Sequence, residues 1–343
     1  MRAILIEKFQ QAPIVTELPE PAPAADGVVL RVRATGLCRS DWHGWQGHDP
    51  DIELPHVPGH ELSGTIAELG SSVRGWQVGQ RVAVPFICAC GSCAQCRGGN
   101  QQVCTRQLQP GFNYWGSFAE YVAIPYAEVN LVPLPEQIEF DTAAALGCRF
   151  ATSYRAVTAV GAVKPGEWLV VFGCGGVGLS AVMIAAAAGA RVIAVDTNPA
   201  ALALAMQHGA IEALPADAEI VDRIIDLTHG GADVTFDAIG AESVVQSALR
   251  SLRPRGRHVQ IGLLPEPIRL DVSFLAFREL SWLGSHGLAA HDFPRMLELV
   301  GSGAVRADQL VTSTIGLDGV AGALEAMTSA SPAGVTVIRP DQR

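Results

Sequence analysis

Residues 168–196 decide the fold, and they read WLVVFGCGGVGLSAVMIAAAAGARVIAVD. The apolar run Trp168–Phe172 is typical of a buried β-strand, a glycine-rich turn follows it, and an alanine-rich helix is predicted from about Val177. The run Arg191–Val195 then predicts a second strand. A strand, a crossover helix and another strand form the repeating unit of a parallel sheet covered by helices.

The uncharged length of this stretch also raises the alternative of a membrane span. Trp168 to Ala190 contains no charged residue and is long enough to cross a bilayer. Its glycines divide it into two elements, so one continuous span is the poorer interpretation. At the N-terminus, Glu7 interrupts the short apolar run of MRAILIEK, which is unlike a secretory signal peptide. We therefore expect a cytoplasmic protein with no membrane partner.

The rest of the chain divides into regions of different pattern. Apolar runs at Val234–Ala238 and His258–Ile261, with helical stretches between them, extend the predicted parallel sheet. In the first part of the chain, short alternating runs such as Val28–Arg33, separated by glycine and proline, predict a mainly β region. The tail has a predicted helix at Asp292–Val300 and a closing strand at Val335–Arg339.

The composition limits the classes of function. Of the 343 residues, 49% are hydrophobic and 17% are charged, so we expect large cores in two domains rather than disorder. The 24 Lys and Arg residues are outnumbered by 34 Asp and Glu residues, and the formal charge is −10. Because binding to a nucleic-acid duplex needs clustered cationic side chains, we expect no nucleic-acid partner.

The glycine-rich turn is the first motif that indicates chemistry. Residues 173–178 read GCGGVG, which satisfies G-x-G-x-x-G between a predicted strand and a predicted helix. Backbone N–H groups and a helix N-terminus meet a pyrophosphate at such a turn. Asp196 ends the next strand, where its carboxylate can bind the ribose hydroxyls and would repel a 2′-phosphate, so NAD is preferred over NADP. The alternative is a purely structural turn. The predicted cofactor-binding residues are Gly173, Gly175, Gly176, Gly178 and Asp196.

Five of the eight cysteines lie between Cys88 and Cys104. Four of these follow a short, regular spacing in a polar loop, where four thiolates can close a tetrahedral shell around Zn²⁺ with no open position. The spacing therefore predicts a structural zinc lobe over residues 88–105. Buried free thiols and a zinc ribbon for nucleic acid are the alternatives, which the polar loop and the acidic charge respectively disfavour. The predicted ligands are Cys90, Cys93, Cys96 and Cys104.

A second group of potential metal ligands is dispersed along the chain. Residues 36–43 read GLCRSDWH, residues 58–61 read PGHE, and Cys148 lies farther on. Two cysteines and a histidine can hold zinc through three protein ligands and leave a fourth position for water or substrate. Each residue also has an ordinary explanation, as a small core residue or as polar surface. From the residues alone, both interpretations stay open.

Taken in order, these features resemble the zinc-dependent medium-chain alcohol dehydrogenases of the medium-chain dehydrogenase/reductase superfamily. The resemblance covers nearly the whole chain, from the CRSD loop through PGHE, the four-cysteine lobe, Cys148 and the glycine-rich turn to Asp196. It implies an α/β fold with a Rossmann doubly wound parallel sheet plus a mainly β GroES-like catalytic domain that carries the structural zinc lobe. The implied domains are a catalytic domain at 1–150, an NAD-binding Rossmann domain at 151–284, and a return to the catalytic domain at 285–343.

The resemblance also implies an activity and an assembly. The activity is the reversible oxidation of a primary or secondary alcohol to an aldehyde or ketone, with hydride transfer to NAD⁺. Two zinc ions per chain, one catalytic and one structural, and a homodimer or homotetramer are implied with it. The alternatives are a polyol or amino-alcohol dehydrogenase of the same superfamily, a zinc-free quinone or enoyl reductase, and a catalytically inactive zinc or redox-sensing protein. Because the proposed ligand positions are filled, the last two are disfavoured.

For the metal, the resemblance implies roles residue by residue. Cys38, His60 and Cys148 would bind the catalytic zinc. Glu61 resembles an acidic residue that approaches the metal during ligand exchange. Asp41 resembles the carboxylate that orients the zinc-bound imidazole.

Further implied roles concern the proton and the cofactor. Ser40 and His43 resemble a proton relay from the substrate oxygen toward solvent. Arg39 resembles a pyrophosphate contact. Thr152 and Val177 match residues that lie beside and behind the nicotinamide ring.

Aromatic residues suggest a substrate pocket. Phe86 matches an aromatic wall of that pocket in the family. Other aromatic side chains in or near the same loops predict an apolar pocket for aromatic or medium-length alcohols, although ordinary packing explains them equally well. These other residues are Trp42, Trp45, Phe112, Tyr114 and Trp115.

Overall fold

The computed structural model describes residues 1–329 and 333–342. Its strands fall into an N-terminal group, a central group and two that close the chain. They are β1 (Arg2–Leu5), β2 (Ile14–Glu17), β3 (Val28–Leu37), β4 (Glu61–Leu69), β5 (Arg81–Val84), β6 (Tyr121–Ile124), β7 (Val132–Pro133), β8 (Trp168–Phe172), β9 (Arg191–Asp196), β10 (Glu212–Pro215), β11 (Ala232–Asp237), β12 (Leu252–Gln260), β13 (Ser281–Gly284), β14 (Val311–Ile315) and β15 (Val335–Ile338).

Helices connect most of these strands, and the longest follow the central strands. They are α1 (Arg39–Gln46), α2 (Ala94–Arg97), α3 (Ala127–Asn130), α4 (Phe140–Ala145), α5 (Ala151–Arg155), α6 (Gly176–Ala187), α7 (Pro199–Gln207), α8 (Ile220–Thr228), α9 (Glu242–Arg250), α10 (Val272–Phe277), α11 (Phe293–Gly301) and α12 (Val320–Ala326). Wide π-helical turns occur at Leu146–Phe150 and Ala156–Val160, and 3₁₀ turns at Gln101–Val103, Ala290–Asp292, Ala307–Leu310 and Leu317–Gly319.

The chain divides into two compact units. The first unit contains Met1–Ala151 and Gly287–Arg343, and the second contains Thr152–His286. The chain therefore leaves the first unit once and returns to it, so β14 and β15 belong to the same sheet as β3.

The second unit is built on a parallel sheet. Within the described residues it has six strands in the order β10-β9-β8-β11-β12-β13. Counted from β8, this is the order 3-2-1-4-5-6 of a doubly wound dinucleotide-binding sheet. The central strands are apolar because they are covered by helices, and Val170 of β8 and Phe236 of β11 are fully buried. The strand order reverses between β8 and β11, and the glycine-rich turn follows β8 at that point.

The first unit is built on a mainly antiparallel sheet. Within the described residues its order is β14-β15-β3-β4-β5-β7, and β6 also pairs with β3. In the β3–β4 register, Gly36 lies opposite Glu61. Cys38 directly follows β3 and His60 directly precedes β4. The register therefore brings these two predicted ligands to the same edge of the sheet.

The predicted fold class is confirmed, with small shifts at the ends of elements. The strand predicted at Trp168–Phe172 is β8, and α6 begins at Gly176, one residue before the predicted start. The strand predicted at Val28–Arg33 continues to Leu37 because its last residues pair with both β4 and β15. Among the described residues, no helix combines the length and the apolar character that crossing a bilayer would need.

Candidate metal centres and cofactor site

One group of potential metal ligands lies at the edge where β3 ends and β4 begins. One ligand atom from each of Cys38, His60, Glu61 and Cys148 lies within 4.8 Å of the others. Cys38 caps the N-terminus of α1, and Cys148 comes from the π-helical turn before α5. Cys38, His60 and Glu61 are buried and Cys148 is half-buried. The dispersed cysteines and histidine of the sequence therefore form one group.

Asp41 fixes the orientation of the His60 ring. The Oδ1 atom of Asp41 lies 3.1 Å from Nδ1 of His60 and also accepts the backbone N–H of Gly59. Its Oδ2 atom accepts the backbone N–H of Cys38 at 2.8 Å. Because Nδ1 is engaged by the carboxylate, Nε2 of His60 is left for the ligand group.

The His60 Nε2 atom is the observation that tests whether a metal fits here. It is buried, and within the described residues it has no hydrogen-bond partner. A buried nitrogen without a partner is costly, whereas a metal bond would satisfy it. Two thiols, an imidazole and a nearby carboxylate are the donor types that Zn²⁺ prefers. The residues present therefore fit a zinc ion.

The pKa values in this group follow from the close contact of its members. A hydrogen bond from Cys148 lowers the pKa of the Cys38 thiol, against the effect of burial, and the Arg149 charge lowers it further. The hydrogen bond to Cys38 and burial together raise the pKa of Cys148. Burial opposes the charged form of His60, but the Asp41 carboxylate raises its pKa well above the usual value. Cys38 is thus the thiol that ionises first.

Glu61 is held by a buried cation that sequence reasoning could not assign. The Arg149 side chain binds both carboxylate oxygens of Glu61, with Nε donating to Oε1 at 2.9 Å and Nη2 donating to Oε2. The backbone N–H of Arg149 also donates to Oε1, at 3.1 Å. Glu61 is 0% exposed and Arg149 is 7% exposed. A lone charge in the apolar run AAALGCRFA was the available signal, because a buried charge needs a partner.

Gly36 makes room for this ion pair. A Cβ atom at this position would lie 2.2 Å from Oε2 of Glu61 and 3.1 Å from Nη2 of Arg149. Burial raises the pKa of Glu61, and the Arg149 charge opposes that effect. The buried Glu61 carboxylate therefore depends on two features. Gly36 leaves space for it beside β3, and Arg149 offsets the cost of burying its charge.

The four-cysteine lobe forms the second group. Single Sγ atoms of Cys90, Cys93, Cys96 and Cys104 lie within 4.8 Å of one another, and the Cys93–Cys96 and Cys90–Cys104 Sγ distances are 3.4 and 3.5 Å. Arg106 donates its backbone N–H to Cys104 and its Nη2 to Cys90. Four converging sulfurs with N–H donors around them fit a closed, structural zinc shell.

The same lobe favours ionised thiols at two positions. Backbone hydrogen bonds, first from Ser92, lower the pKa of Cys90 to about 5, and those from Cys96 and Thr105 lower that of Cys93 to about 6. Burial raises the pKa of Cys96 to about 12. Cys88 lies outside this group, and its buried thiol contacts the hydroxyl of Tyr114.

The predicted proton-relay residues lie on the first turns of α1. The Ser40 hydroxyl is 3.8 Å from Sγ of Cys38, so it is adjacent to the ligand group. His43 lies one turn later, is exposed, and its Nδ1 is 3.0 Å from Nδ1 of His48. Partial desolvation of the ring by its neighbours and the Arg39 charge lower the pKa of His43. His48 is thus a neighbour of His43, a contact that the sequence motifs did not indicate.

Arg39 is held within the first unit. Its guanidinium lies 3.7 Å from the ring centroid of Trp42, and its Nη1 donates to the backbone carbonyl of Met327. Its expected contact with a pyrophosphate stays a prediction.

The glycine-rich turn of the second unit depends on two missing side chains. Gly173 has a φ of 92°, a left-handed conformation that favours glycine. A Cβ atom at Gly178 would lie 1.7 Å from the carbonyl oxygen of Gly173. At Gly175, by contrast, no heavy atom lies within 4 Å of the corresponding position, so the turn is open there. The N-terminus of α6 therefore has space for an anion.

Asp196 joins this turn to the end of β9. Its Oδ2 atom accepts the backbone N–H of Cys174 at 2.6 Å, and its Oδ1 atom accepts that of Asn198 at 2.8 Å. Val177 is held by the Ser153 hydroxyl, which donates to its carbonyl at 2.7 Å. Thr152 is buried in the same unit. The residues expected to contact a dinucleotide, apart from Arg39, therefore share one unit.

The aromatic residues have different surroundings. Phe86 and Phe112 present edges to the His60 ring, with centroids 6.1 and 5.1 Å away. Trp45 packs in a buried cluster, and its indole donates to the carbonyl of Gln11. Trp115 is 39% exposed. Two of the aromatic side chains therefore adjoin the ligand group, whereas Trp45 is a packing residue.

The chain is similar to known proteins along most of its length. Residues 24–136 match the family model described as "Alcohol dehydrogenase GroES-like domain", and residues 176–302 match "Zinc-binding dehydrogenase". An alcohol dehydrogenase of Geobacillus stearothermophilus is 33% identical over 89% of this chain and 90% of that protein. An L-threonine 3-dehydrogenase of Rhizobium rhizogenes is 32% identical over 96% of both. The solved structure of an alcohol dehydrogenase from Thermus sp. ATN1 superposes with a TM-score of 0.91 over 99% of both chains, at 28% identity.

The four-cysteine lobe predicts a defined metal loss. Replacing Cys96 by serine is expected to remove one zinc ion per chain, because three thiolates cannot close the tetrahedral shell. Elemental analysis of the purified protein measures this loss. Cys88→Ser is the matched control, since that thiol lies in the same lobe but outside the ligand group, and it should retain the full zinc content. Retention of all zinc by Cys96→Ser would contradict the assignment.

The buried ion pair predicts a stability loss. Arg149→Met should lower the free energy of unfolding by about 3–5 kcal/mol, because it leaves the Glu61 carboxylate buried without a partner. Urea denaturation measures this change. The double variant with Glu61→Gln should recover part of the loss, and the cycle of single and double variants isolates the coupling.

The exposed pair of Arg306 with Asp308 supplies the control for that experiment. Arg306→Met should cost at most about 1 kcal/mol, because water screens an exposed pair. If Arg149→Met and Arg306→Met lowered the free energy of unfolding equally, the buried pair would contribute no more to stability than the exposed one, which would contradict this prediction.

Proposed function

The chain belongs to the zinc-dependent medium-chain dehydrogenase family, and on that basis we propose that it reversibly oxidises a primary or secondary alcohol to an aldehyde or ketone, with NAD⁺ as hydride acceptor. The observation that carries the proposal is the convergence of Cys38, His60 and Cys148 around a buried imidazole nitrogen that has no partner among the described residues. Three protein ligands leave one position of a tetrahedral site for the substrate oxygen.

The residues of the ligand group and those around it would have different roles in the reaction. Cys38, His60 and Cys148 would hold a zinc ion, which when bound would supply a Lewis acid that lowers the pKa of the alcohol hydroxyl. Asp41 holds the His60 ring in the tautomer that leaves Nε2 free for the metal. Arg149 occupies both oxygens of Glu61, so the fourth position stays open to the alcohol.

The Ser40 hydroxyl would relay the substrate proton, accepting it while giving up its own hydroxyl proton toward His43. It lies beside Cys38 and therefore beside the position where the alcohol oxygen would be held. His43, three residues later, is exposed and accepts the proton on its way to solvent. Its lowered pKa favours the neutral ring, which is the form that can accept a proton.

The second unit would hold the cofactor. The open turn at Gly173–Gly178 and the N-terminus of α6 provide backbone N–H groups for the pyrophosphate. The Asp196 carboxylate, at the end of β9, would bind the ribose hydroxyls and repel a 2′-phosphate. Thr152 and Val177 would contact the nicotinamide. These residues support NAD rather than NADP.

The four-cysteine lobe would hold the second zinc ion. Four sulfurs leave no open position, so this ion would stabilise the loop and take no part in the reaction.

The cysteines also bear on the compartment. All eight lie in the described residues and none of them forms a disulfide bond there, which supports a reducing compartment such as the cytoplasm.

A homodimer or homotetramer fits one surface of the second unit. Strand β13 lies at the edge of the sheet, so one side of it is available for pairing. Shortly before it in the chain, Leu263, Val272 and Phe277 are 83%, 67% and 90% exposed. Large exposed apolar side chains and a strand edge open to pairing are each typical of a protein interface.

The activity is tested by a panel of primary, secondary and aromatic alcohols with NAD⁺ or NADP⁺, following nicotinamide reduction. NAD⁺ is expected to be the better acceptor. Asp196→Ala should raise the KM for NAD⁺ about tenfold or more, because hydrogen bonds to a charged group are lost. Preference of the unchanged protein for NADP⁺ would contradict the Asp196 argument.

Ser40 variants test the proton path in the same assay. Ser40→Ala should lower kcat by about a hundredfold, because a positioned proton acceptor is lost, whereas Ser40→Thr keeps a hydroxyl and should retain most activity. No oxidation of any alcohol by the zinc-loaded protein would contradict the proposed function.

The assembly is tested by light scattering after size-exclusion chromatography. Phe277→Glu should shift the mass toward that of the monomer, because a charge would be buried in the interface. Val78→Glu is the control, since Val78 is 63% exposed in the first unit. A monomeric unchanged protein would contradict the proposal.

A further inference from the structure

The turn that ends α1 folds the chain back over the last turn of the helix. Gly47 follows the helix, and its N–H donates to the carbonyl of Gly44 at 3.0 Å. The N–H of His48 donates to the carbonyl of His43, also at 3.0 Å. These two hydrogen bonds form a Schellman motif, in which the second residue past the helix lies against the helix end. The motif therefore returns His48 to His43, five positions earlier in the chain.

Glycine is favoured at the centre of this turn for two reasons. The φ of Gly47 is 80°, a left-handed conformation that a side chain disfavours. A Cβ atom there would also lie only 3.0 Å from Cγ of Phe9. The position of His48 relative to α1 is therefore fixed by the backbone of the turn.

The imidazole rings of His43 and His48 are in direct contact. Their Nδ1 atoms lie 3.0 Å apart, and the ring centroids are separated by 5.3 Å. At this distance one nitrogen donates a hydrogen atom and the other accepts it. The hydrogen bond therefore couples the tautomers of the two rings.

Trp42 supports this pair from one side. Its ring lies edge-on to both imidazoles, with centroids 5.0 Å from His43 and 5.8 Å from His48. The indole N–H of Trp42 donates to the Thr328 hydroxyl at 3.1 Å, and the Arg39 guanidinium lies 3.7 Å from the ring centroid. Trp42 is thus held at both its edge and its face. The two imidazoles, although exposed to solvent, therefore have a fixed neighbour.

This contact leaves one nitrogen of His43 for a proton. Because Nδ1 is engaged by His48, Nε2 is the ring atom that can accept. Partial desolvation of the ring and the charges of Arg39 and His48 lower the pKa of His43, whereas the charge of Cys38 raises it. The neutral ring is thereby favoured, and a neutral ring with its hydrogen on Nδ1 has a free lone pair on Nε2.

We propose that His48 is a positioning residue of the proton path, which accepts the Nδ1–H of His43 and so holds that ring in the tautomer whose Nε2 takes the proton passed on by Ser40. When Nε2 takes this proton, His43 becomes a cation and its hydrogen bond to His48 becomes charge-assisted and stronger. Transfer of one proton to water then restores the neutral ring. This assignment rests on the proposed alcohol oxidation and adds the residue that orients its proton acceptor.

Two substitutions at His48 test the hydrogen bond. His48→Leu removes the acceptor, whereas His48→Asn places a carboxamide oxygen near the position of Nδ1 and keeps it. His48→Leu should lower kcat for alcohol oxidation about threefold to tenfold, which is part of the loss expected when a proton acceptor is removed altogether. His48→Asn should retain most of the activity. The KM for the alcohol should change in neither variant, because the metal ligands are untouched. Equal losses of kcat in the two variants would overturn the proposal.

His48→Asp tests the sign of the electrostatic effect. A carboxylate also accepts the Nδ1–H, but it stabilises the imidazolium and so raises the pKa of His43. Because only the neutral ring accepts a proton, the acid limb of the kcat–pH profile should move to higher pH. The charges of Arg39 and Cys38, which also act on His43, are unchanged in this variant. An acid limb that does not move would contradict the proposal.

The tautomer itself is measured by NMR on protein labelled with ¹⁵N in its histidine rings. His43→Gln identifies the signals of His43 by their loss. The His43 hydrogen should lie on Nδ1 in the unchanged protein, and His48→Leu should shift it toward Nε2. His291→Leu is the matched control, because His291 is an exposed histidine of the same unit. This control should leave both the His43 signals and kcat unchanged.

The NMR measurement needs no turnover, so it separates this proposal from the oxidation. If the protein oxidises alcohols but the His43 hydrogen lies on Nε2, the positioning role of His48 is overturned and the proposed function stands. Failure of the proposed function would instead appear as no oxidation of any alcohol by the unchanged protein, whatever the position of that hydrogen.

Discussion

The candidate reaction centre depends on one backbone constraint, the register that places Gly36 opposite Glu61 where β3 pairs with β4. This register brings Cys38 and His60 to one edge of the sheet. The absence of a side chain at Gly36 leaves space for the Glu61 carboxylate and for the guanidinium of Arg149. Shifting the register by one residue would move every side chain to the opposite face, so the ligand group and the buried ion pair would be lost together.

The cofactor site follows the same physical logic in the other unit. There the close approach is between Gly178 and the carbonyl oxygen of Gly173, and a single Cβ atom would prevent it. The parallel sheet ends at this turn, so backbone N–H groups and the Asp196 carboxylate face the same space. In both units, glycine at one position allows a close approach that brings charged or polar groups together at a candidate site.

The aromatic residues that the sequence placed in or near the same loops have different surroundings in the structure. Sequence pattern grouped several of them into one apolar pocket, but their contacts differ. Trp45 packs in the core, Phe112 lies against His60, and Trp115 borders a cavity that also contains Asp51 and Glu53. The wall of that cavity therefore combines aromatic rings with two solvent-exposed carboxylates.

The sequence by itself determined the parallel sheet, the glycine-rich turn and the four-cysteine lobe, because each is encoded by residues a few positions apart. The resemblance to a family related Cys38, His60 and Cys148, which lie far apart in the chain. Only the tertiary structure decided the role of Arg149, whose partner Glu61 is 88 positions away, and the composition of the cavity wall from two separate loops. The reason is physical: the partner of a buried charge depends on strand register and packing, which join segments that no local pattern relates.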